Sequence, residues 1–324
     1  MTYEEFINYI RENMEEMLGQ GVKTKITKVL KNNNVEMDAL SVVNSESHIS
    51  PVIYLNTYYE EYKEGRGIEE ISEEIFSLYE DHKMDLQFDT DFFSDFDRIK
   101  NRIVYKLINT ANNKKLLKDI PNIPFLDLSI VFYCMLDSQY LGSATALIHN
   151  VHMNMWGVKK EELYEIAKEN TPQILKYELK DMNDLIEEIL LSDIKNVVCE
   201  NDGEYASKEQ EDKANNLKDN LMKNIRAQKD KISMYVLTNI QRINGAASIL
   251  YEGVIKRFAD MVDKDIYILP SSVHEVILVP ALEGMSEKYF TEMVKEVNVE
   301  ELDQVDILSD HSYFYNRKED IIEM

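Results

Sequence analysis

Two short apolar runs, close together, make the clearest pattern in this chain. Ile266–Leu269 and Val276–Val279 flank a polar tip that opens with Pro270, Ser271 and Ser272. Continuous apolar runs of this length, bounded by turn residues, predict strands buried on both faces. The segment reads as a β-hairpin deep in a sheet, at the core of the C-terminal half. At the other end of the chain the period is helical. Phe6, Ile7, Ile10, Met14, Met17 and Leu18 recur at one-turn spacing, so residues 3–18 predict an amphipathic helix ended by Gly19. Val22–Lys31 and Val35–Val43 then read as strands around Asn32–Asn34, because asparagine tolerates the left-handed backbone of a hairpin turn. Pro51–Leu55 predicts a third strand. A helical stretch, YYEEYKEG, follows and is broken by Gly65 and Gly67. Ile68–Asp81 predicts another helix with Ile71, Ile75 and Leu78 on one face.

The middle of the chain alternates. Ile99, Ile103, Tyr105 and Leu107 fall on one side, and Lys100, Arg102 and Lys106 on the other, which predicts a half-exposed strand. Asn122–Pro124 carries a turn signal and is the expected seam between halves. Phe125–Leu136 and Ala144–His149 read as strands and Val158–Glu169 as a helix. Thr171-Pro172 suits a fresh helix start, since proline fits the first turn. Asp181–Leu191 predicts a further helix. Residues 193–230 are polar and read as a surface excursion with a helix across Lys208–Lys229. Ile232–Thr238 predicts a strand. Ala246–Val262 predicts a helix with Ile249, Leu250, Val254, Ile255 and Phe258 inward. Ser286 caps a helix over Ser286–Val297, and Ser312–Tyr315 closes with a short strand. The expectation is an α+β protein with mixed sheets and packed helices, in two α+β units over residues 1–120 and 121–324.

Charge narrows the function classes. Against 36 Lys and Arg stand 60 Asp and Glu, a net charge of −24. Such a surface repels nucleic acid and anionic membrane, whose phosphates need clustered Lys and Arg, and favours a basic protein as partner. The acidity is uneven. Residues 60–97 hold fourteen acidic and three basic residues, while residues 98–119 hold seven basic residues and one Asp. Internal pairing between these neighbours is the expected use of Lys100, Arg102 and Lys106, with anion binding as the alternative. The two cysteines, Cys134 and Cys199, suggest no disulfide framework, as expected of a reducing cytoplasm. The N-terminal residues are acidic and amphipathic, unlike a signal peptide, and no run approaches eighteen apolar residues. A soluble cytoplasmic protein is expected, with its oligomeric state open.

The candidate chemistry is sparse. His274-Glu275 opens a sequence, HEVIL, that has leucine where a zinc peptidase needs its second histidine. Ser271, Ser272, His274 and Glu275 could supply a nucleophile and a base, but a hairpin tip is also a natural home for small polar residues. DTDFFSDFD places Phe92 and Phe93 where a calcium loop needs ligands, so capping of a short helix by Thr90 or Asp91 is the better reading. His149 and His152 stand three apart, a spacing that puts two histidines on one helix face for a metal, yet Met153, Met155 and Trp156 suggest packing. Asn244-Gly245 could open a helix that receives an anion, although GAAS equally suits close helix-on-sheet packing. No phosphate-cradling loop, nucleophile elbow or paired CxxC is found, and no cofactor is implied.

Several stretches together resemble one bacterial family of unassigned function, the domain-of-unknown-function family 5688. They include KNNNVEMDAL, ISPVIYLNTYYEEYKEG, FDTDFFSDFDRIKNRIVYKLIN, IPFLDLSIVFYCML, ATALIHNVHMNMWGV, GAASILYEGV and LPSSVHEVILVP. A fainter likeness joins the YVLTN-to-hairpin part to another uncharacterised cytosolic bacterial family. The resemblance implies a bacterial cytosolic protein carried on mobile elements, and it transfers no catalytic residue. Two readings follow. The first is a non-catalytic binding or regulatory protein. The second is a hydrolase-like enzyme whose site lies where the tip (Ser271, Ser272, His274, Glu275) meets Thr238, Asn239 and Gly245.

Overall fold

A computed structural model describes residues 1–19, 22–43, 52–83, 93–137, 143–189 and 232–324. The chain divides into two compact units, Met1–Thr171 and Pro172–Met324. The described elements are those of an α+β protein, and their strand pairings are all antiparallel where mixed sheets had been expected.

In the first unit, helix α1 (Tyr3–Leu18) begins in a capping box between Thr2 and Glu5 and ends at Gly19, whose φ of 83° suits glycine. Strands β1 (Lys23–Leu30), β2 (Glu36–Val43) and β3 (Val52–Tyr54) form the expected meander. Helices α2 (Leu55–Lys63) and α3 (Ile68–Lys83) follow. Phe6, Ile10 and Met14 of α1, Leu40 of β2, and Ile71 and Ile75 of α3 share one core. Leu78, expected inward, is 38% exposed.

The second sheet of this unit departs from the alternation argument. Residues Phe96–Ile99 form a short helix, α4, with the Asp95 carboxylate accepting from Asp97 N–H. The cap expected at Thr90 or Asp91 lies outside the described residues. Lys100–Arg102 is a 3-10 turn, and strand β4 begins only at Ile103 and ends at Asn109. The Asn170 amide donates to the carbonyls of Lys100 and Ile103, at 2.8 and 2.9 Å, and holds this helix-to-strand junction. Strand β6 (Leu128–Asp137) is central, with β4 on one edge and β5 (Asn122–Phe125) and β7 (Ser143–Leu147) on the other. Asn122–Pro124, the expected seam, thus lies inside a sheet. The expected strand from Phe125 to Leu136 is broken by a turn at Leu126, φ 53°. Helices α5 (Asn150–Trp156) and α6 (Lys160–Ile174) complete the segment. Thr171-Pro172 starts no new helix, and Pro172 lies in the last turn of α6.

The second unit is built on a six-stranded sheet. Strand β8 (Tyr177–Asp181), which the apolar pattern did not signal, forms one edge beside β9 (Tyr235–Asn239). The hairpin β10 (Ile266–Pro270) and β11 (Val276–Pro280) occupies the centre, and β12 (Tyr313–Asn316) and β13 (Ile321–Glu323) finish the other edge. Helix α7 (Val254–Val262) packs on one face, where Phe258 meets Tyr235 edge-on. Its expected single helix from Ala246 is split at Gly253, φ 69°, from a 3-10 turn over Gly245–Leu250. Helix α8 (Glu287–Glu300), capped by Ser286, covers the opposite face through Phe290 and Val294 against Leu269 and Val279. Among the described residues no helix is long and apolar enough to cross a membrane. The polar segment 193–230 lies outside the described residues.

Candidate functional site

The tip between β10 and β11 is held in place by its own polar groups. The Ser272 hydroxyl is buried and accepts from His274 N–H at 3.0 Å, while Ser272 N–H donates to the Glu275 carbonyl at 3.2 Å. Thr238, near the end of β9, donates its hydroxyl to the His274 carbonyl at 2.7 Å. The His274 ring is occupied on both sides. Its Nδ1 accepts from Asn244 N–H at 3.3 Å, and its Nε2 stands 3.4 Å from the Asp306 carboxylate. Val273 N–H also donates to the Asp306 carbonyl, at 2.8 Å. Ala246 N–H donates to the Val273 carbonyl at 3.2 Å.

Gly245 is required by this packing. A Cβ there would stand 2.2 Å from Thr238 Oγ1, 2.5 Å from the His274 carbonyl oxygen and 2.7 Å from Asn239 N. The expected meeting of the tip with Thr238, Asn239 and Gly245 is therefore present. Asn244-Gly245 packs closely there, and the amides of Asn244 and Ala246 donate to the His274 ring and the Val273 carbonyl.

Beside the tip lies a cleft of about 340 Å³. Strand alternation and register build its floor. Lys180 of β8 stands opposite Val236 of β9, which stands opposite Ile277 of β11; Glu178 stands opposite Thr238. Lys180, Val236 and Ile277 form one row, and Glu178, Thr238 and Glu275 supply the next. Met182, Leu185 and Ile189, from the helical residues 182–189, add apolar wall, and Ser271 and Arg242 complete the lining. Lys180 reaches Glu188 at 2.7 Å and Glu178 at 3.3 Å, and the Glu188 contact is the main cause that raises its pKa. Arg242 stands 3.9 Å from Glu178. Ser271 and Glu275 make no side-chain hydrogen bond or ion pair among the described residues. His274 does not line the cleft.

The model of a family of unknown function, DUF5688, matches residues 3–317. The chain belongs to that family. No curated protein and no solved structure matches it. The DUF5688 description assigns no activity, so roles for the remaining candidates come from their surroundings.

The basic face expected in this DUF5688 chain does not exist as one face. Lys100 and Arg102 sit in the 3-10 turn, and Lys100 pairs with Asp97 at 2.7 Å. Lys106 alone stands on β4, a strand with both faces covered. The reason is local: the Asp95 cap turns residues 96–99 into helix before the strand begins, which shifts the side-chain phase. The Lys106 stem keeps some exposed surface, but its ammonium is surrounded by protein, and this burial, with Lys31 nearby, pushes its pKa down to about 8. Its Nζ lies 5.9 Å from the Tyr133 ring centre.

His149 and His152 brace the start of α5. His152 Nδ1 accepts from His149 N–H at 3.0 Å, and His152 N–H donates to the His149 carbonyl, also at 3.0 Å. Phe93 and Trp156 pack around the His152 ring. Desolvation, then His149, lowers the His152 pKa. Among the described residues no group of three or more His, Cys, Asp or Glu could hold a metal. Cys134 is buried, and burial raises its thiol to about 11, far from a reactive thiolate.

Proposed function

We propose that this protein acts by binding a cationic partner and does not turn it over. What carries the reading is the use of His274. Both ring nitrogens face protein groups, a backbone amide and Asp306, so the histidine nearest the serines serves as a clamp and not as a free base. Ser272 is buried in the turn, and Ser271 faces a cleft that His274 does not line. The net charge of −24 supports a basic partner through long-range attraction. The test couples affinity capture from bacterial lysate at low and high salt, identifying proteins and nucleic acids alike, with a turnover screen on esters, amides and phosphoesters. Basic partners released by salt, with no turnover, support the reading. Turnover that disappears in His274→Ala overturns it in favour of a hydrolase at the Ser271–Glu275 tip.

A further inference from the structure

We infer that the cleft between β8, β9 and β11 receives a primary ammonium carried on an apolar stem, with Glu275 as its counter-ion. This rests on the binding reading above and names the chemistry of the bound group. Two carboxylates and two cations line the cleft, Glu178 and Glu275 with Lys180 and Arg242, but both cations are drawn to the Glu178 side. Lys180 is shared by Glu178 and Glu188, and Arg242 lies on the Glu178 side. Glu275 is left uncompensated among the described residues, beside a Ser271 hydroxyl that is also unused. A carboxylate and a hydroxyl are two acceptors for the three N–H donors of an ammonium. Next to them lies a wall of Val236, Ile277, Met182, Leu185 and Ile189, which can cover methylenes and offers them no hydrogen bonds.

Size points the same way. About 340 Å³ is at the small end of ligand sites, enough for an alkylammonium but not for a folded element. The backbone that carries the two acceptors is fixed in advance. The Glu275 carbonyl is tied to Ser272 N–H, and the tip is clamped by Thr238, Asn244 and Asp306, so only side-chain rotamers are left for a ligand to order. Two sources share this chemistry: a free alkylamine, or the side chain of a lysine in a basic protein.

The experiment is calorimetric titration of the full-length protein with n-alkylamines of increasing length, the alcohols and carboxylic acids of equal length, and a lysine blocked at both backbone ends. The inference expects affinity to rise about fourfold per added methylene until the wall is covered. It expects alcohols and acids to bind at least tenfold more weakly than amines, and Glu275→Gln to remove at least tenfold of amine affinity. Binding of the blocked lysine at the strength of the matching amine points to a protein partner, and binding of free amines alone to a small metabolite. Alcohols that bind as well as amines overturn the ammonium assignment and leave a binding protein with an apolar site. Silence of the whole series overturns the cleft assignment, while the salt-dependent capture above still judges the binding reading. The amine-to-alcohol comparison needs no variant and stands even if Glu275→Gln fails to fold.

Discussion

The tips of two hairpins, one in each unit, use polar residues in opposite ways. At Asn32–Asn34 they are turned inward. Asn33 and Asn34 take the left-handed backbone, and the buried Asn113 side chain accepts from Asn33 N–H at 2.8 Å. The same amide donates to Asn32, Asn33 and the Asn109 carbonyl, at 2.9, 3.0 and 2.8 Å. Asn32 and Asn33 are consumed in docking the meander onto the end of β4, while the buried Oδ1 of Asn34 has no hydrogen-bond partner among the described residues. At Ser271–Glu275 only half the polar groups are consumed. Ser272 and His274 hold the turn, while Ser271 and Glu275 face a cleft with capacity left over. Buried hydrogen-bonding groups are normally satisfied, so saturation marks a structural role and unused capacity in a concavity marks an available one. The charges nearby differ in the same sense. Among the described residues Glu275 is uncompensated in its cleft, where a ligand can reach it. Lys106 carries a charge that burial opposes.

The largest effect expected is from Gly245→Ala. Two of the three atoms that its Cβ meets are backbone, so the clash cannot be relieved by a side chain alone. A loss of about 3 kcal/mol or more is expected in urea denaturation, with distortion of the cleft-side tip. Asn113→Ala should follow. It leaves the buried Asn33 N–H without its acceptor and removes three donated bonds, a loss of about 2 kcal/mol that leaves amine binding untouched.

Lys106→Met should act in the opposite direction and stabilise by about 2 kcal/mol at neutral pH, because a neutral side chain of similar length avoids the cost of burying the charge. The sign follows from the depressed pKa. Below pH 8 the lysine is protonated in the folded and unfolded chain alike, and the full cost is present. Between about 8 and its ordinary 10.5 the folded protein releases the proton first, so wild-type stability gains from this group as pH rises. The advantage of the variant should therefore shrink across that window, which thermal melts at a series of pH values can follow. A variant no more stable than wild type at neutral pH would show that Lys106 is not held at a cost.

The smallest pair sharpens the contrast within one tip. Ser272→Ala should cost about 1 kcal/mol, since its buried hydroxyl accepts from His274 N–H. Ser271→Ala should leave the melting temperature unchanged and weaken only amine binding. A destabilised Ser271→Ala would mean that this hydroxyl already has a structural partner.

Local pattern and turn chemistry carried much of this in advance. Helix α1, the asparagine turn, the central hairpin and the Ser286 cap were all legible, because each depends on spacing or capping within one short stretch. The meeting of the tip with Thr238 and Gly245 was also legible, since Thr238 ends a strand, Gly245 was read as a helix start, and strand ends beside a helix start often form sites. Strand β8 was not. Its sequence, YELKD, is polar because it is an edge strand with one face open to the cleft, and an edge strand carries no apolar run.

What the sequence determined by itself was the set of short-range elements, the acidic balance and the place of the buried hairpin. Those follow from side-chain spacing, capping and summed charge, none of which needs a distant neighbour. What only the tertiary structure decided was which residues share a face. Glu178 and Glu275 reach one cleft because β8, β9 and β11 pair in one register, and Lys106 is enclosed because β4 is covered on both sides. Register and coverage are set by packing between segments far apart in the chain, and a shift of one residue would send each of those charges to the other face.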